Sequence, residues 1–243
     1  MIIIHPLTII YLVLGLYFNR FHGIVFLYLF GLIHECCHVI TARIFKVKTS
    51  EIVLLPTGFK ANLEDFSQIA IFKQILIIIA GPLSYFISFF IIKALFHFNL
   101  ISIYGMRMCN TYNMLILIFN IIPIYPLDGG KLIDIFLANF FSEYKCRIIR
   151  MSISLIASII LIFYIKTLGD LLMIGFVLSS FVISLINLKK DYKLFLIKRK
   201  FLNNNYKIKL NKKIELFRFK NNYLFRKKRF LSEKEIIDEI LKE

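Results

Sequence analysis

The chain has 243 residues, of which 58% are hydrophobic and none is tryptophan, and its mean hydropathy is +0.74. That composition excludes an ordinary soluble globular domain and points to an integral membrane protein with little soluble mass. The formal charge is +16. More than half of the Lys and Arg follow Leu188, which suits a cytoplasmic tail beside anionic lipid; no nucleic-acid-reading motif accompanies it and no nucleic-acid partner is expected. The four cysteines, Cys36, Cys37, Cys109 and Cys146, have the spacing of neither a disulfide framework nor a Cys-pair zinc site.

In chain order, residues 2–18 are apolar and lack both a basic leader and a small-residue cleavage site, so they read as a retained first span. Residues 24–45 are the second. Glu51-Ile52-Val53-Leu54-Leu55 is β-prone, Pro56-Thr57-Gly58 is turn chemistry and residues 59–63 alternate, which predicts a short hairpin or re-entrant loop at the membrane surface. Its strand edge could pair with an unwound substrate, or the segment could be a plain connector. Residues 69–96 are a third span, with Gly81-Pro82 near the middle predicting a kink or a close helix contact. After a mixed connection at 97–110, residues 111–125 form a shorter apolar stretch. It is broken by Asn120 and Pro123 and passes Pro126 into Leu127-Asp128-Gly129-Gly130. A helical pattern resumes over 131–141, and 148–165 and 171–188 are the fifth and sixth spans.

The predicted fold class is therefore an all-α polytopic membrane protein of about six transmembrane helices, with a small re-entrant or β-hairpin loop after the second. It divides into a membrane-embedded part, 1–190, and a short basic tail, 191–243. An even number of spans puts both termini on one side, and the basic tail makes that side the cytoplasm. Lys46, Lys48, Lys60, Lys131, Lys145, Arg147 and Arg150 fall on the same side, with Arg20 and Arg107 outside. The tail reads as a solvated, lipid-facing segment. Residues 206–225 suggest a hairpin about Asn221-Asn222, and Ser232-Glu233-Lys234-Glu235 is a capping box opening a last helix.

Within the second span lies His34-Glu35-Cys36-Cys37-His38. Residues four apart share a helix face, so the two histidines can grip one metal ion, and zinc suits two imidazoles with a third protein ligand. Glu35 sits about 100° round the helix, beside the metal without binding it. Ionisable groups at that depth are expensive and point to function. Asp128, in its glycine-flanked turn, is the candidate third ligand. The Cys37 thiol could compete for the metal, though a small buried apolar role is the plainer one. Asn120 reads equally as a substrate contact or a helix–helix hydrogen bond.

The H-E-x-x-H of one span and the Leu127-Asp128-Gly129 of a later one resemble the site-2 protease family of intramembrane zinc metalloproteases. The string from Asn120 through Pro123 and Pro126 to Leu127-Asp128-Gly129-Gly130 resembles the family's sporulation stage IV factor FB branch. So do Leu54-Leu55-Pro56-Thr57-Gly58 and Gly81-Pro82-Leu83. The resemblance covers about residues 1–190. It implies zinc held by His34, His38 and Asp128, Glu35 as catalytic acid and base, and Asn120 and Pro126 positioning the substrate. It also implies cleavage of a membrane-associated pro-protein, in that branch an inactive sigma factor, and inhibitory membrane partner proteins. Tyr85 stands where the branch suggests Asn, and the tail is too short and basic for the complete nucleotide-binding CBS domain that often follows in the branch. The competing class is a non-proteolytic membrane metal carrier or scaffold using the same ligands, which has no need of Glu35.

Overall fold

The structure, a computed structural model, describes residues 2–4, 8, 9, 13, 16, 17, 21–55, 58–63, 66–163, 178, 181, 182, 184–201, 206, 208–211, 214–226 and 229–242. Three long helices form its centre: α1 (Phe21–Ile44), α2 (Ile71–His97) and α3 (Ile103–Ile121). All three pack on one another. The face that α2 turns inward mixes Ile77, Ile78 and Ile92 with the small or polar Gln74, Gly81, Ser84 and Ser88, while Phe86, Ile87, Phe90 and Ile91 lie exposed on the outside. Small residues inside let backbones approach, and large apolar ones outside suit lipid. Among the described residues, two helices, Gly23–Ile44 and Ile71–His97, are long and apolar enough to cross a membrane.

The ends of α1 and α2 are set by the same device. Past α1, the Lys46 N–H donates to the Arg43 carbonyl and the Val47 N–H to that of Ala42, with Lys46 at φ 59°. Past α2, Asn99 at φ 57° donates to Phe96, and Leu100 to Leu95. Each is a left-handed cap that satisfies the last carbonyls and turns the chain back. Val47 then packs with Ala42 and Ile77, sealing the α1 end against α2.

The predicted hairpin is present as β2 (Thr49–Leu55) and β3 (Gly58–Leu63), antiparallel, with β3 lying along α1. The third strand of that sheet, β1 (Ile2–Ile4), runs parallel to β2 and corrects the first predicted span, whose start is strand. A run of three isoleucines carries no periodicity that separates strand from helix, and the open edge of β2 decided it. The connection expected at 97–110 is also corrected. Ser102 caps α3, its hydroxyl accepting from the Gly105 N–H, so the helix starts well before residue 111.

Two further helices meet at a corner: α4 (Asp128–Phe140) and α5 (Glu143–Ile162). Residues 148–162 of the fifth expected span are helical, within α5, while its last two residues and most of the sixth span fall outside the described residues. Arg147 and Arg150, counted above in the charge bias, are buried in ion pairs of this corner.

The tail is not the solvated segment that its charge suggests. Helix α6 (Leu188–Phe201), strands β4 (Ile208–Asn211), β5 (Asn221–Arg226) and β6 (Arg229–Leu231), and helix α7 (Glu233–Lys242) fold together. Phe195, Leu196, Leu216, Leu224, Leu231, Ile236 and Ile237 make their core. The capping box forms as expected, with Glu235 and Ser232 bonded reciprocally. The hairpin about Asn221-Asn222 does not. Those residues open β5, which is parallel to β4 and pairs antiparallel with β6. Asn222 is fully buried and spends its amide on the Phe217 and Lys220 carbonyls and on Glu233, so it ties down the preceding loop instead of making a turn.

Candidate metal centre

His34 and His38 lie one turn apart on the buried face of α1, and both are nearly closed to solvent. Asp128 is the first residue of α4, where its negative charge suits the positive end of the helix. The loop before it packs so tightly on the first turn that only glycine fits at the next two positions. A Cβ on Gly129 would strike the Ile121 carbonyl, and one on Gly130 would come within 2.6 Å of the Ile124 carbonyl carbon. That crowding is why Leu127-Asp128 is followed by two glycines. The peptide bond between Tyr125 and Pro126 is cis.

The three side chains meet at one point. His34 Nε2 is 3.0 Å and His38 Nε2 2.9 Å from Asp128 Oδ2, and the two imidazole nitrogens are 3.2 Å apart. The His38 Nδ1–H donates to the Ile77 carbonyl at 2.7 Å, which leaves an acceptor lone pair on Nε2. An acceptor nitrogen and a carboxylate oxygen at 2.9 Å are compatible only with positive charge between or beside them. A tetrahedral zinc with bonds of about 2.0–2.1 Å would hold its ligand atoms about 3.3 Å apart, so a slight opening of this triangle accommodates it. The second carboxylate oxygen, Oδ1, accepts from Lys131 Nζ at 2.9 Å, which leaves Oδ2 aimed at the histidines.

Helix α2 passes directly over the pair. A Cβ on Gly81 would collide with the His38 ring and come within 2.8 Å of His34 Cε1. The close contact expected at Gly81-Pro82 is therefore with the two histidine rings themselves. Glu35, half-buried, belongs to the same group of potential ligands as the two histidines. Its Oε1 accepts the Ala61 N–H of β3 at 2.5 Å. Asn120, on the last turn of α3, turns its amide to the Ile116 carbonyl of its own helix, and Pro126 is half-buried just ahead of Asp128. The Cys37 thiol is half-buried and free. The helix–helix bond considered for Asn120 is made by Asn113, which donates to the backbone carbonyl of Tyr85 at 3.0 Å.

Sequence reasoning missed Lys131, although its place three residues after Asp128 on a helix was a usable signal. It had no signal for the Ala61 N–H or the Ile77 carbonyl, which are backbone groups brought in by the fold.

No family profile matches the chain. It is 30% identical over 152 residues to stage IV sporulation protein FB of Bacillus subtilis, covering 63% of this chain and 53% of the relative. It is 30% identical over 149 residues to a zinc metalloprotease of Methanocaldococcus jannaschii, covering 59% and 43%. The solved structure of a site-2 protease from Methanocaldococcus jannaschii superposes with a TM-score of 0.56 at 26% identity, covering 74% of this chain and 86% of that one. The chain is similar in sequence and in fold to site-2 proteases. It spans about half the length of the curated relatives it matches. Like a site-2 protease in fold, it brings two histidines and an aspartate together among apolar helices, a donor set that suits zinc.

Proposed function

We propose that the chain is an intramembrane zinc endopeptidase that hydrolyses a peptide bond of a membrane-associated protein. The observation that carries this reading is the convergence of His34, His38 and Asp128 within 3.2 Å of one another, with Glu35 beside them. Bound by those three residues, zinc supplies a Lewis acid that acidifies water and polarises the scissile carbonyl. Glu35 takes the proton of the attacking water on its carboxylate and returns it to the leaving amine. Lys131 holds the outer oxygen of Asp128 and keeps the inner one turned to the histidines.

A helical peptide bond is closed to attack until its backbone is opened, and β3 offers the edge for an opened strand. Among the described strands β3 pairs only with β2, and its other side runs along α1 beside Glu35. Asn120 and Pro126 position the strand. About six spans with both termini in the cytoplasm fit the hydropathy and the basic tail, and that tail meets anionic lipid. The similarity to stage IV sporulation protein FB supports a pro-sigma factor as substrate.

The test is a paired assay. Wild type and Glu35→Gln are each co-expressed with a tagged candidate pro-sigma factor in a host that lacks both, and zinc content is measured on the purified proteins. Cleavage by the wild type alone, with zinc in both, is the expected result. Equal cleavage by the variant would overturn the mechanism. Zinc in both with no cleavage of any of a panel of membrane-associated substrates favours a metal carrier.

A further inference from the structure

The corner between α4 and α5 buries five ionisable groups that the chemistry above does not use. Asp134 of α4 shares its oxygens between two arginines, accepting from Arg150 Nη1 and from Arg218 Nη1, each at 2.7 Å. Glu143, fully buried at the start of α5, accepts from Arg218 Nε at 2.7 Å and Nη2 at 3.0 Å, and from Arg147 Nε at 2.9 Å. Three guanidiniums thus face two carboxylates. The third positive charge lies over the ring of Tyr125, 3.7 Å from the Arg150 guanidinium carbon to the ring centre.

Two features tie this cluster to the metal centre. Tyr125 belongs to the loop that ends in Asp128, and α5 grips it twice: its ring lies under Arg150, and its N–H donates to Ser154 Oγ at 2.9 Å. Asp134 lies six residues beyond Asp128 on the same helix, about 9 Å along its axis. Arg150 therefore holds both the loop before Asp128 and the helix after it, and its hold on the helix is through Asp134.

Arg218 is the piece that comes from elsewhere. It belongs to the folded tail, 84 residues from Asp134 and 75 from Glu143. Its neighbour Phe219 packs against the α4–α5 cluster of Leu137, Ala138 and Cys146, and the Leu216 carbonyl accepts the Glu143 N–H at 2.7 Å. Without Arg218, one oxygen of Asp134 and one of Glu143 lose the donors that they have here. A buried carboxylate in that state draws in water or moves towards it, and α4 moves with it.

We propose that Arg218 is a positioning residue for the metal centre. From the tail it clamps α4 to α5 and so sets where Asp128 stands opposite His34 and His38. The proposal rests on the zinc reading above, and it makes the tail part of the site's scaffold.

The test uses the full chain in detergent. Zinc affinity is measured by chelator competition for wild type, Arg218→Met, Arg218→Lys and, as a benchmark, Asp128→Asn. Amide hydrogen exchange is followed over residues 122–131. Folded Arg218→Met is expected to bind zinc about 10- to 100-fold more weakly, as loss of a supporting partner does elsewhere, with faster exchange at 128–131. Arg218→Lys, which can serve one carboxylate at a time, falls between. A folded variant with wild-type affinity and wild-type exchange overturns the proposal. If Arg218→Met does not fold, Arg218→Lys decides by the same criteria. If the wild type holds no zinc, the proposed function fails, and exchange over 122–131 still decides whether Arg218 braces the Asp128 turn.

Discussion

Asp128 and Asp134 stand six residues apart on α4 and meet opposite surroundings. Asp134 is saturated: each of its oxygens takes a guanidinium. Asp128 is left open on one side. Lys131 takes its outer oxygen, while the inner one faces two imidazole nitrogens, one of which has its proton committed elsewhere. The first arrangement holds protein to protein and has no room for a cation. The second offers a donor set that suits a cation. The comparison separates a carboxylate used as a rivet from one placed as a candidate ligand, although both are buried on one short helix.

The difference can be tested from its strongest consequence downwards. Gly81→Ala pushes a methyl group into the His38 ring, and a displacement on the order of 1 Å at a reacting centre can cost about 100-fold. We expect at least that loss in cleavage rate, together with weaker zinc binding by chelator competition, while the Arg218 cluster and the tail fold stay intact. Loss of the tail fold would show the two regions to be one.

Lys131→Met is the next step. It frees the outer oxygen of Asp128 without touching the histidines, so zinc affinity should fall by about tenfold and thermal stability should change little. Wild-type affinity in this variant would mean that the α4 backbone alone orients the carboxylate.

The smallest effect is expected at Lys145. Its pair with Glu215 joins the same two regions as Arg218 does, at 2.7 Å, but the lysine side chain is 56% exposed. Exposed pairs contribute about 0–1 kcal/mol, against about 3–5 kcal/mol for breaking a buried one. Lys145→Ala should leave Tm and zinc affinity close to wild type. A large loss would show that net charge across this interface, and not the buried geometry of Arg218, holds the tail.

The legibility of the molecule follows the range of its interactions. The convergence of His34 and His38 could be read because a helix period places them together, and Asp128 stood out because a turn signature surrounds it. The β2–β3 hairpin announced itself through β-prone residues about Pro56-Thr57-Gly58. Apolar runs were read less well. The strand at Ile2–Ile4 and the early start of α3 both depend on what lies alongside, since apolar composition is shared by strand, helix and membrane span. The tail was read as solvated because its charge hides a small core, and because the partners of Arg199 and Arg218 are distant in sequence.

By itself, then, the sequence determined the residues able to bind a metal, the helix that carries two of them and the apolar setting that makes them costly. Those features come from local periodicity and composition, which need no partner to be defined. Only the tertiary structure decided that Gly81 roofs the histidine rings, that a β3 N–H holds Glu35, and that an arginine of the tail reaches the helix of Asp128. Each of these is a contact between segments far apart in the chain, and its partner is fixed by how buried surfaces and charges are satisfied together.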